Sequence, residues 1–150
     1  MSEVGGYVRL GGNSHSAYAA TADWGVLWNR GERHAFGATV SVWVPDDAII
    51  GPSFRYRHWF GGSTALDLAV GAAVWGNGPQ AGSLFGLARL NLMSWLALGV
   101  RAQHLRFNCG GPSCRDPGRV FVGAEVGGKV GRWLSIGFPA LGLLWLLGDD

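Results

Sequence analysis

Residues 64–75 read TALDLAVGAAVW. Leu66, Leu68, Val70, Ala72 and Val74 alternate with Ala65, Asp67, Ala69, Gly71, Ala73 and Trp75, and a period of two marks a β-strand with two different faces. One face is aliphatic. The other is small, with a lone aspartate among alanines and glycine. The fold turns on which face points inward and what the other one meets.

The same alternation recurs along the chain. It predicts strands over Tyr7–Gly12, Ala17–Asn29, Ala35–Val44, Ser53–Phe60, Thr64–Trp75, Ser83–Leu92, Trp95–Phe107 and Arg119–Val130. The connections carry turn chemistry: GGNSHS, NRGERH, VPDD, FGGST, GNGPQAG, MSW and NCGGPSCRDPG. They tend to alternate between long and short, so one end of the structure is elaborated and the other tight. Eight such strands joined by hairpins predict an all-β fold, an antiparallel up-and-down meander. A meander of this size closes into a barrel because closure removes the unpaired edges. No linker divides the 150 residues, which read as a single domain.

Composition decides what surrounds that barrel. Charged residues make up 15% of the chain and hydrophobic ones 48%, with 26 glycines and 8 tryptophans; average soluble domains are roughly 25% charged. Lys129 is the sole lysine, although soluble β proteins spread lysine over their exposed edges. The face opposite the aliphatic one is largely Ala and Gly, as at Ala65, Ala69, Gly71, Ala73, Ala97, Gly99, Gly123 and Gly127. Small residues gain little facing water, but they fit the narrow inside of an eight-stranded barrel. Asp67, Arg89, Arg101 and Glu125 lie on that same face at similar distances from their turns. They are predicted to be cross-strand neighbours at one height, pairing with one another inside. Arg9, Arg55, Arg57, Lys129 and Asp23 share the face, which leaves the interior positive on balance. Arg55 and Arg57 have no equally obvious partner and are the candidates for anion binding, against a structural reading of the whole polar cluster. The aliphatic face carries Trp24, Trp28, Phe36, Phe54 and Tyr56 near several strand ends, the pattern of a lipid-facing band with aromatic girdles.

With its dyad-repeat hairpins, such as DWGVLWNRGERHAFGATVSVWV and LARLNLMSWLALGVRAQHLRF, the chain resembles the small bacterial outer-membrane β-barrels of uncharacterised, eight-stranded type. The resemblance covers roughly Tyr7 to Val130. It implies a transmembrane barrel, membrane lipid as partner and the bacterial outer membrane as location. The family commonly ends in an aromatic-terminated strand, whereas this sequence ends in PALGLLWLLGDD. The opening MSEVGGYVRL has neither a basic nor an apolar region of signal-peptide type and is not expected to be one. Residues 132–147 form a short C-terminal apolar segment. RWLSIGF reads as an extra strand, and the Leu-rich body after Pro139 as a helix.

Little else carries chemistry. Cys109 and Cys114, four residues apart, favour a loop disulfide over free thiols, and over a metal site, of which they would be half at best. His15 sits in the turn sequence NSHS, His34 starts a strand, and His58 and His104 fall near strand ends on the apolar face, where they read as interfacial. No catalytic residue, metal site, cofactor or nucleic-acid surface is predicted; the formal charge is +2 and the arginines are scattered. The expected role is therefore an integral outer-membrane barrel acting in structure or surface interaction without catalysis. A soluble lipocalin-like barrel binding a small apolar ligand is the alternative, and a lipid-modifying barrel enzyme ranks below both.

Overall fold

Period-two runs separated by glycine-, asparagine- and proline-bearing turns become antiparallel strands in the computed structural model, which describes residues 1–10, 17–44, 48–76, 83–104, 118–128 and 131. The strands are β1 (Ser2–Leu10), β2 (Tyr18–Asn29), β3 (His34–Val44), β4 (Ile49–Gly61), β5 (Thr64–Ala72), β6 (Trp75–Gly76), β7 (Leu84–Asn91), β8 (Leu96–His104) and β9 (Arg119–Val126). Successive strands pair antiparallel, β3 joins β4, and β9 returns to β1 from Val4↔Val126 to Leu10↔Val120. The sheet is closed. Because β6 continues β5 along the edge of β4, the barrel has eight staves in meander order, as the alternation predicts.

The start of β1 and the turns at 30–33, 62–63 and 92–95 lie at one end. The longer connections, including 105–118, leave from the other. Cys109 and Cys114, His15, Lys129 and the apolar segment 132–147 fall outside the described residues.

Side-chain direction follows the parity of the sequence. Asp67, Arg89, Arg101 and Glu125 are buried inside, each no more than 2% exposed. Leu68, Val70, Leu90 and Leu98 point outward and are 40–60% exposed. Ala35, Ala65, Ala69 and Ala97 line the inside of the wall, whereas Val8, Val26, Val40 and Val100 stand on its outside. Polarity is therefore reversed relative to a barrel with an aliphatic core.

Two strand starts and one side-chain direction stand out against the sequence reading. β1 begins at Ser2, not Tyr7, because Glu3, Gly5, Tyr7 and Arg9 continue the inward series while Val4, Gly6 and Val8 continue the outward one. β4 begins at Ile49 and runs through Pro52, which stands opposite Val40. Pro52 cannot donate to its other neighbour, and there the ladder slips by one residue: Ser53 faces Gly71, but Ile50 faces Trp75. The slip is a β-bulge and it reverses the parity beyond it. Trp75, placed by simple alternation on the face of Asp67, is 55% exposed on the outside.

Glycines inside the wall make room for large rings. The Tyr7 ring crosses Gly99 and Gly123: a Cβ on Gly99 would collide with the Tyr7 hydroxyl, and one on Gly123 would lie 2.6 Å from the ring. Gly99→Ala is expected to lower the unfolding free energy by about 1–3 kcal/mol through overpacking, measured by urea titration of the folded barrel. An unchanged midpoint would show that Tyr7 moves aside freely.

Candidate functional site

The interior is filled in two storeys. The lower, toward the short-turn end, is an ion network drawn from six of the eight staves. Glu3 comes from β1, Asp23 from β2, Arg55 and Arg57 from β4, Asp67 from β5, Arg89 from β7 and Glu125 from β9. All sit at inward positions, and register sets their heights, since Glu3 faces Asp23, Gly5 faces Glu125, and Asp67 lies between Arg57 and Arg89.

Arg57 meets its cross-strand neighbour Asp67 through two parallel bonds, Nε to Oδ1 and Nη2 to Oδ2, both 2.6 Å, the strong forked geometry of a guanidinium on a carboxylate. Its Nη2 also lies 3.2 Å from Glu3. Arg55 donates to Glu3 at 2.6 Å and Asp23 at 3.0 Å, and lies 3.9 Å from Asp67. Arg89 crosses the lumen. It donates to Glu3, to Asp23 at 2.8 Å and to Glu125, whose other oxygen accepts from the Tyr7 hydroxyl. Of these arginines only Arg57 reaches any solvent, with its side chain 17% exposed.

The upper storey is aromatic. Trp43 meets Tyr7 edge-on at 5.2 Å between ring centres and Phe121 at 5.0 Å. The Arg101 guanidinium lies over Trp43 at 4.4 Å and over Phe85 at 4.0 Å, a cation held between ring faces. A Thr39–Ser53 hydroxyl contact of 2.6 Å fills the wall beside it.

These positions correct two parts of the expected arrangement. Arg101 is not in the paired cluster. Glu125 stands opposite Ala97 and Arg89 opposite Gly99, while Arg101 is opposite Phe121, which lifts it to the aromatic level. Arg55 and Arg57 are not the unpaired cations of the interior; they make five of the eight ion pairs of the network. The residue that supplies their missing charge is Glu3. Its signal was present, because the odd-numbered inward series extends back from Tyr7 through Gly5. Asp67 and Arg89, although cross-strand partners, each bond elsewhere: Asp67 takes Arg57, and Arg89 reaches across the lumen.

Glu3, Asp23 and Glu125 each bring a carboxylate oxygen within 4.8 Å of the others. Arg89 donates to all three, so a guanidinium stands where a divalent cation would have to sit. Below the network a cavity of about 800 Å³ opens toward the short-turn end, with Glu3, Arg57, Trp59, Asn91 and Glu125 among its walls. What the arrangement can do chemically is neutralise charge and close the bore. No family model, curated protein or solved structure matches the chain.

Proposed function

We propose that the chain is an integral β-barrel of the bacterial outer membrane, of the small eight-stranded type, with a structural or surface-interaction role and no catalysis. The observation that carries this reading is the reversed polarity of the wall. Among the described residues, 23 large apolar side chains are at least 37% exposed, most of them on the outer face of the strands, whereas the charges of the network lie within. Soluble monomers rarely expose contiguous apolar patches above a few hundred Å². A hydrocarbon surround removes the penalty, and a closed barrel leaves no backbone edge unpaired within it.

The distribution along the wall supports the same reading. Tyr18 and Trp75 stand on the outside toward the long-loop end, and Trp28, Phe36 and Phe60 toward the short-turn end, all exposed. Valine and leucine dominate between them, which is the girdle pattern of a transmembrane barrel. Strands of 8–13 residues for the eight staves suit a tilted crossing. The filled bore favours a scaffold over a pore.

The experiment is folding of the purified chain into lipid vesicles. We expect a detergent requirement for the purified protein, carbonate-resistant association with the vesicles, and quenching of tryptophan emission by lipids brominated in mid-chain. Planar-bilayer recordings on the same material should show no ohmic steps. A monodisperse, folded monomer without detergent would overturn the membrane reading and favour a soluble barrel. Anion-selective currents would overturn the scaffold role.

A further inference from the structure

We propose that His34, His58 and Tyr56 form an outward-facing site for a divalent transition-metal ion of the zinc class, at the short-turn end of the β3–β4 hairpin. The inference stands on local geometry and does not depend on the membrane reading.

The hairpin brings the two imidazoles together by register. His34 and His58 are direct Cα partners. The neighbouring Trp59 N–H donates to Arg33 C=O at 2.9 Å, which makes Arg33–Trp59 the hydrogen-bonded pair and His34–His58 the closer, non-hydrogen-bonded one. Their rings lie 4.8 Å apart between centres. His34 Nδ1 and His58 Nδ1 are 3.3 Å apart, and the Tyr56 hydroxyl oxygen is 2.8 Å from His34 Nδ1. Phe36 packs at 5.1 Å on Tyr56, and Phe60 meets His58 edge-on at 5.1 Å, so neighbouring rings hold the side chains in place.

Proton accounting shows why a cation suits this cluster. Each imidazole Nδ1 offers either one proton or one lone pair. His34 Nδ1 faces two partners and has a single site with which to answer them. A metal ion placed among the three atoms accepts a lone pair from each and resolves the conflict. The spacing of the two imidazoles agrees: with Zn–N bonds of about 2.0–2.1 Å, two tetrahedral ligand atoms stand roughly 3.3–3.4 Å apart, and the Tyr56 hydroxyl, at 2.8 Å from His34 Nδ1, moves outward by about half an ångström to join them. Two imidazole nitrogens and a phenol oxygen form a borderline donor set that favours zinc or copper over calcium or magnesium. His34 is exposed, and Tyr56 and His58 are half-buried, which leaves the outer side open for water to complete the coordination.

This site differs from the interior carboxylates in a decisive respect. Those acids already hold arginine, whereas no Lys or Arg forms an ion pair or hydrogen bond with His34, His58 or Tyr56 among the described contacts.

The test is titration of the folded barrel with Zn²⁺ in a non-chelating buffer, read by calorimetry and by ¹⁵N spectra of the histidine rings. We expect saturable binding, with the Nδ1 resonances of His34 and His58 moving together and those of His104 unmoved. His34→Ala and His58→Ala should each weaken that binding by at least about tenfold, and Tyr56→Phe by less. The ring spectra of the unmutated protein keep the proposal testable if a variant fails to fold. Zn²⁺ that leaves both Nδ1 resonances unchanged, or binds the His34→Ala/His58→Ala double variant as tightly as the parent, overturns it.

Discussion

Arg89→Ala should abolish most of the barrel's stability, lowering the unfolding free energy by at least about 3–5 kcal/mol. That is the usual cost of removing one partner from a buried ion pair, and Arg89 serves three acids at once. Among the described residues its loss leaves Glu125 with the Tyr7 hydroxyl alone, Asp23 with Arg55, and Glu3 with Arg55 and a part-exposed Arg57. Asp67→Ala should cost less. Arg57 keeps Glu3 at 3.2 Å and its side chain is 17% exposed, so water can take over part of the lost contact. Urea unfolding of the two variants and the parent under identical conditions gives the order. Equal midpoints for Arg89→Ala and the parent would show that the acids find other partners, and the network would then be no hub.

The second large effect is expected at Trp43. Its side chain is fully buried and fills the bore against Tyr7, Phe121 and Arg101. Trp43→Ala removes that volume from a lumen whose backbone cannot collapse, and should cost about 3–5 kcal/mol. Trp43→Phe is the informative companion. Among the described residues the indole N–H has no hydrogen-bond partner, so deleting it removes a buried donor while the ring still covers part of the gap. The two terms oppose each other, and the net loss should fall below about 2 kcal/mol. Thermal and denaturant unfolding separate the cases. A Phe variant as damaged as the Ala variant would mean that indole shape, rather than ring area, holds the upper storey.

Much of this fold was legible in the sequence because period-two alternation is a short-range signal. Parity correctly sent Asp67, Arg89, Arg101 and Glu125 inward and Leu68, Val70, Leu90 and Leu98 outward. Heights were less legible. A side chain's level depends on register summed over several hairpins, and a small offset carried Arg101 from the ionic to the aromatic storey. Partners were least legible, since an arginine can span the lumen: Arg89 passed over adjacent Asp67 for acids on β1, β2 and β9. Trp75 failed for a local reason, because Pro52, which forces the slip, lies on the neighbouring strand. The pairing of His34 with His58 required the β3–β4 register, which neither strand shows by itself.

The way opposite charges are shared among the staves also bears on the order of assembly. Acids sit on β1, β2, β5 and β9, and arginines of the network on β4 and β7. The β4–β5 hairpin can neutralise its own Arg57 and Asp67. The β1–β2 hairpin carries Glu3 and Asp23 with no arginine of the network, and the last stave delivers Glu125. Tyr7 and Glu125 are 118 residues apart, and Arg89 and Glu3 are 86. Such distant pairings form late, after the entropy of large loops has already been lost. An incomplete sheet thus holds uncompensated carboxylates until its two ends meet, and closing the ring is the step that discharges them. Joining β9 to β1 should therefore behave as a latch, slow to reach and abrupt once reached.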